Sequence, residues 1–288
     1  MRTLISLFLV GVVGCDGGSD TPNDAPPDAP PDAPLADAPV PPLGHRHYVI
    51  DRILVPTSNP EARAYGLDLD GDSMVDNALG SVMATFASMG IDVQVDYARA
   101  IDTGASITLV DLSATDLTTA AGSTFALFDG TNPMPLACNG ASDTTCRRHL
   151  TGTGTFTAAA TPVNAPLTGA IASGTMTAGP GQLAVDFVWP ESPAVAVTLL
   201  GARIKASSIT ETGIATLILA GAIAETEVDA KIFPAIRTGQ MAAMTRDCAA
   251  LTSPPECGCT QGTSGDMASS LFDTSPKDCA ISLDEIRN

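Results

Sequence analysis

Two runs decide the fold: Gln182-Leu183-Ala184-Val185-Asp186-Phe187-Val188-Trp189 and, after a polar break, Val195-Ala196-Val197-Thr198-Leu199-Leu200. Both are rich in β-branched and aliphatic residues that alternate with small or polar ones, the period of a half-buried strand. Around them, from residue 150 to about 223, Thr, Ala, Gly and Val dominate with the same alternation. Gly-Pro steps such as Gly179-Pro180 read as turns between short strands. Strands at turn-separated intervals predict an antiparallel sheet or sandwich.

Upstream, Tyr48-Val49-Ile50-Asp51-Arg52-Ile53-Leu54-Val55 reads as a strand closed by Pro56. Leu79, Val82, Met83, Phe86 and Met89 recur at helical spacing, with Gly90 at the position of a C-terminal cap. Residues 91–103 fit strand and helix equally well, whereas 106–112 and 123–128 read as strands. Downstream, residues 225–246 predict a helix that turns Val228, Ile232, Ile236 and Met244 inward, with Pro234 kinking or breaking it. The expected fold class is α+β: an antiparallel β-rich domain with two or three helices and a C-terminal segment stapled by disulfides. It occupies residues 44–288 as one domain, with any subdivision near 150.

The chain has 32 acidic and 14 basic side chains among 288 residues, a formal charge of −18. Nucleic acid is excluded as a partner, because phosphate binding needs clustered Lys and Arg. At 44% hydrophobic and 16% charged, the chain carries enough apolar material for a core. Aromatic residues make up only 4%, which leaves little for recognition by ring stacking.

The N-terminus reads as an address. After Arg2, residues Leu4–Gly14 form an apolar run of eleven, well short of the roughly 20 residues that span a bilayer. The run ends in Val12-Val13-Gly14-Cys15, which resembles the lipobox of bacterial lipoproteins. That resemblance implies cleavage of residues 1–14 and acylation of Cys15, so that the lipid bilayer becomes a partner through the acyl anchor. Residues 16–43 hold six Asp and no basic residue, with a Pro-Pro-Asp-Ala unit repeated within Asp24–Pro34. Proline fixes φ and like charges repel, so residues 15–43 are expected to form a disordered, extended stalk reaching about 80 Å. The expected location is the cell envelope, at the outer membrane or cell surface. Asp16 resembles an inner-membrane retention signal and points to that membrane as the alternative.

Six cysteines remain, namely Cys138, Cys146, Cys248, Cys257, Cys259 and Cys279, and an even count in an exported chain implies disulfides. Cys138 and Cys146 bracket a polar loop and are the expected pair; the other four should staple the tail internally. A zinc knuckle at Cys257-Gly258-Cys259 lacks a second pair or a His at knuckle spacing.

The sharpest chemical signal is Asp68-Leu69-Asp70-Gly71-Asp72-Ser73-Met74-Val75-Asp76-Asn77. Carboxylates at alternate positions converge on one hard cation, and a backbone carbonyl, here that of Met74, completes such a shell. The stretch resembles EF-hand and dockerin loops and thrombospondin type 3 repeats, which implies structural calcium at Asp68, Asp70, Asp72, Met74 and Asp76. Ser73 stands where an EF-hand has Gly, and Leu79 where it has the bidentate Glu. A weaker echo runs from Phe272 to Ile286, with Asp273, Asp278 and Glu285 as candidate ligands, but its count is one residue too long.

No nucleophile elbow, P-loop, His-Glu-x-x-His or dinucleotide fingerprint occurs, so no catalytic residue is assigned. His45 and His47 are read as exposed residues at the stalk junction, and His149 as a lone histidine beside a disulfide. The expectation is a non-enzymatic envelope lipoprotein: a structural or binding module whose envelope or extracellular ligand is unknown. The alternatives are an envelope hydrolase working through carboxylates, and a carrier for apolar ligands or lipids.

Overall fold

The computed structural model describes residues 4–9 and 43–287; Cys15 and the stalk lie outside the described residues. The fold is α+β, built on one antiparallel sheet. Its strands are β1 (Leu4–Leu9), β2 (Gly44–Val49), β3 (Thr108–Ala114), β4 (Thr119–Met134), β5 (Thr155–Ala158), β6 (Leu167–Ala172), β7 (Thr175–Phe187), β8 (Val195–Thr210) and β9 (Gly213–Ile223). The spatial order is β1-β9-β8-β7-β6-β4-β3-β2, with β5 pairing onto β4. From β2 to β9 it is an up-and-down meander with one small side strand, so most neighbours in space are neighbours in sequence. The apolar N-terminal run, β1, lies antiparallel along β9 with Leu4 opposite Ala222.

The two deciding runs both belong to strands longer than their alternation suggests. In β8 the inward residues are Val197 and Leu199, then Ala202, Ile204 and Ala206. The phase slips by one at Gly201, where φ is +61° and the ladder to β9 skips between Leu200 and Arg203. This is a β-bulge, which bends a strand and adds twist. The bulge has a counterpart in β7, and here one expectation is corrected. Gly179-Pro180 makes no turn between strands; it sits inside β7, where pairing with β8 jumps from Ala178 to Gly181. Proline cannot donate to the ladder, and Gly179 takes φ +102° with the backbone of Ala202 so close that a Cβ would meet its carbonyl oxygen at 2.3 Å.

The bulges help to curl the sheet until its β2 edge meets the tip of the β8–β9 hairpin. Tyr48 donates its hydroxyl to the Thr210 carbonyl at 2.8 Å, and Arg46 pairs with Glu211 at 2.9 Å. The alternative of two stacked sheets is thereby resolved in favour of one curled sheet. Its inner face is filled by Phe125, Leu112, Leu183, Leu199 and Leu219, all fully buried.

Helices close the open side. α1 (Asn59–Ala64) and α2 (Ala78–Ser88) flank the acidic loop, and α3 (Gln94–Asp102) resolves the ambiguous stretch as helix. Tyr97 of α3 is buried; its hydroxyl donates to the Asp186 carbonyl and accepts the Val188 N–H, and burial pushes its pKa up. The predicted 225–246 helix is α4 (Glu225–Glu227), a π-helical turn at Val228–Ile232 and α5 (Phe233–Asp247). The helix is irregular rather than broken: Pro234 sits in the first turn of α5 just after the π turn, which is where the missing N–H of a proline perturbs the ladder. Met83 supplies the buried face of α2 while Val82 is exposed, and Gly90 follows the helix at φ +92°. α6 (Ser264–Leu271) and α7 (Leu283–Arg287) complete the tail. Phe86 packs edge-on to Trp189, with ring centroids 5.3 Å apart, and also meets Phe272, so one of the few aromatic groups joins α2, the sheet and the tail. The first strand is also corrected: β2 begins at Gly44 and ends at Val49, four residues earlier at its start and six at its end than the apolar run Tyr48–Val55 suggests. Ile50 still donates its N–H to the Thr108 carbonyl, and the chain to Val55 runs on outside the sheet, where Gln94 of α3 bonds the Ile53 carbonyl and the Val55 N–H.

Candidate functional site

The acidic loop is a tight turn held at its base by pairing of Leu67 with Asp76. Asp68 accepts the N–H groups of Gly71 and Ser73 at 2.6 and 2.9 Å, Asp70 accepts that of Asp72, and Asp72 accepts that of Met74. These bonds wind the chain so that Asp68, Asp70 and Asp72 each present an oxygen within 4.8 Å of the others. Two oxygens on opposite sides of one calcium at about 2.4 Å stand about 4.8 Å apart, so this spread fits a shared ion. Ser73 adopts φ +69°, the left-handed conformation that the EF-hand assigns to its glycine, so the departure there is of residue and not of backbone. Asp76 directs Oδ2 to the Leu69 N–H at 2.8 Å, and the Met74 side chain is exposed. Next to Asp76, Asn77 caps α2 through the Gly80 N–H and donates to the Ala62 carbonyl, so the loop is anchored to both helices.

The cysteines pair as Cys138–Cys146, Cys248–Cys259 and Cys257–Cys279. The first pair is the expected one, and the other two staple the tail internally. Asp143 organises the first loop by accepting the N–H groups of Asn139, Thr145 and Cys146, and these bonds hold its pKa well below the usual carboxylate range. In the tail, Asp273 is fully buried and accepts the N–H groups of Asp278 and Cys279, while Asp278 accepts that of Ala280. Glu285 accepts from Thr274, Ser275 and Ser282; burial opposes its ionisation, but these bonds win and lower its pKa. The three carboxylates of the weaker echo therefore serve the backbone of a disulfide-tied turn.

The sheet assembles a cluster that the sequence reading sets aside. His45 and His47 are two apart on β2 and share one face, and their register partners on β3 are Ser113 and Asp111. His45 Nδ1 lies 3.0 Å from Asp111 Oδ2 and 2.9 Å from the Ser113 hydroxyl; His47 Nε2 lies 3.7 Å from Asp111 Oδ1. His47 and Asp111 also line a cleft of about 610 Å³ with Phe128, Phe156 and the buried His149. Burial, aided by the charge of Arg147, lowers the pKa of His149, and its Nδ1 has no hydrogen-bond partner among the described residues. A strand begun at Tyr48 leaves both exposed histidines outside the sheet, which is why they read as stalk residues. The available signal was the i, i+2 spacing of His45 and His47 continued into the strand.

Two other clefts are present. One of about 1030 Å³ runs between α2 and the α4–α5 segment, walled by Val82, Phe86, Val228 and Phe233. A smaller one of about 110 Å³ is bordered by Asp129 and Asp186. Asp186 belongs to an exposed residue position, yet crowding of its carboxyl by protein, with the charge of Asp129, raises its pKa. Among the described residues no helix is long and apolar enough to cross a membrane. No protein-family model matches the chain, and no curated protein or solved structure matches it either.

Proposed function

We propose that this chain is an exported lipoprotein, anchored through acyl groups on Cys15, that holds a non-catalytic structural or binding domain away from the membrane on an acidic Pro-rich stalk. The observation that supports the reading is that, among the described residues, the six downstream cysteines pair with one another, so that none of them calls on Cys15 as a disulfide partner. Disulfides persist in oxidising compartments, so the pairing agrees with an export signal. Calcium held by Asp68, Asp70 and Asp72, with the Met74 carbonyl and Asp76 near at hand, would neutralise the acidic loop where it joins α1 to α2. Labelling of producing cells with a palmitate analogue is expected to mark the wild type and not Cys15→Ser; a labelled Cys15→Ser product overturns the proposal.

A second reading, the apolar-ligand carrier, expects a cavity inside the sheet, which is filled instead, and would have to use the 1030 Å³ groove between α2 and the α4–α5 segment, whose walls also include Arg63, Glu225, Asp229 and Arg287. A fluorescent fatty-acid analogue displaced by Val82→Asp would support it. The carboxylate-hydrolase alternative gains less: the Asp129–Asp186 cleft, at about 110 Å³, is far below the several hundred Å³ typical of substrate pockets.

A further inference from the structure

We propose that His45, His47 and Asp111 form a binding site for a divalent transition-metal ion, separate from the acidic loop and bordering the 610 Å³ cleft. Two imidazoles and one carboxylate suit zinc or copper far better than calcium, which takes oxygen ligands. The spacing fits one ion. Ligands held tetrahedrally at about 2.0–2.1 Å stand about 3.3 Å apart. Here the carboxylate oxygens lie 3.0 Å from His45 Nδ1 and 3.7 Å from His47 Nε2, and all three residues offer ligand atoms within 4.8 Å of one another. The neutral tautomer of His45 with its proton on Nε2 leaves the Nδ1 lone pair to the metal.

The scaffold is rigid where precision is needed. Alternate residues of one strand supply the histidines, and the adjacent strand supplies the carboxylate in the register fixed by the β2–β3 ladder. The next β2 residues are tied down: Arg46 donates to the Ala114 carbonyl and Tyr48 to that of Thr210. The histidine side chains are 59% and 76% exposed, so an ion can enter without any rearrangement of the core. Three protein ligands leave at least one position open, as in catalytic and ligand-binding metal sites and unlike closed structural ones. Because His47 and Asp111 are also walls of the cleft, that open position borders it. The ligand class that fits is a small, largely apolar molecule with one metal-donor atom, its body against Phe128 and Phe156.

The test uses the full-length chain in detergent, without a histidine tag, stripped with chelator and titrated with Zn²⁺ against a chromophoric competitor. One zinc per chain is expected, weakened at least about tenfold in His47→Ala and in Asp111→Asn. Asp70→Asn, in the acidic loop, should leave the zinc affinity unchanged. With Cu²⁺ in place of zinc, the electron paramagnetic resonance spectrum should show coupling to two imidazole nitrogens in the wild type and to one in His45→Ala or His47→Ala. No zinc bound by the wild type overturns the proposal. So does zinc binding that survives both His47→Ala and Asp111→Asn, or that is lost in Asp70→Asn. The exposed histidine variants keep the fold, which unchanged circular dichroism verifies.

Discussion

The C-terminal tail and the β2–β3 edge are held together in opposite ways. The tail has a small core of its own, Met244, Ala268, Phe272 and Ile281 with three half-cystines, and two disulfides close it over 11 and 22 residues. The β2–β3 edge has no covalent tie and depends on partners far along the chain, such as Tyr48 with Thr210 and Arg46 with Glu211. The first is local chemistry and the second is register. The difference teaches where a cation or a ligand can be expected: local loops gather carboxylates by winding, whereas a sheet gathers unlike residues from distant segments onto one face.

The largest expected effect falls on the tail. Replacing Cys257 and Cys279 by Ser opens a 22-residue loop, worth about 3.4 kcal/mol by chain entropy, against about 2.5 kcal/mol for the 8-residue loop of Cys138–Cys146. Urea midpoints of the two double variants should fall in that order, while zinc binding at the β2–β3 edge persists; equal losses would show that the tail is no more dependent on its staples than the 138–146 loop. Next comes calcium. Addition at a hundred times its dissociation constant should stabilise the chain by about 2.7 kcal/mol, and Asp70→Ala should abolish the gain in melting temperature. An unchanged melting temperature on chelation would remove calcium from the account.

At the sheet edge a smaller effect is expected. Tyr48→Phe deletes the bond to the Thr210 carbonyl and should cost about 1 kcal/mol in denaturant unfolding. Arg46→Gln removes the pair with Glu211 and the bond to the Ala114 carbonyl, and should cost a similar amount, roughly 1 kcal/mol. A much larger loss from Tyr48→Phe would mean that closure of the curled sheet, rather than its ladders, dominates its stability. The smallest effect concerns acid. The folded pKa of Asp143 is depressed below its unfolded value, so its contribution is full above the ordinary carboxylate range and disappears as the pH falls through the folded value. Amide exchange at Thr145 and Cys146, corrected for intrinsic rates, should therefore quicken on acidification below about pH 4.

The same contrast explains what could be read in advance. The Cys138–Cys146 pair and the internal stapling of the tail followed from spacing, because short loops leave few choices. The helix of Leu79, Met83 and Phe86 was visible in its period, and in the separate 225–246 helix Pro234 falls just after the irregular π turn. Gly179-Pro180 misled because the same residues that make a turn also make a bulge, and only the neighbouring strand distinguishes them. The His45–His47–Asp111 cluster was hidden for a related reason: Asp111 is 66 residues from His45, and nothing local announces the register that joins them. The convergence of Asp68, Asp70 and Asp72, by contrast, is written within five residues.

The central claim, an exported domain on a lipid, is tested most directly by the intact mass of the protein extracted from membranes. The account predicts a chain that begins at acylated Cys15, lacks residues 1–14 and with them β1, so that β9 becomes a sheet edge, and carries six fewer hydrogens than the fully reduced form of residues 138–279. A chain that retains residues 1–14 without acyl groups, or one with free thiols at Cys257 and Cys279, would contradict it.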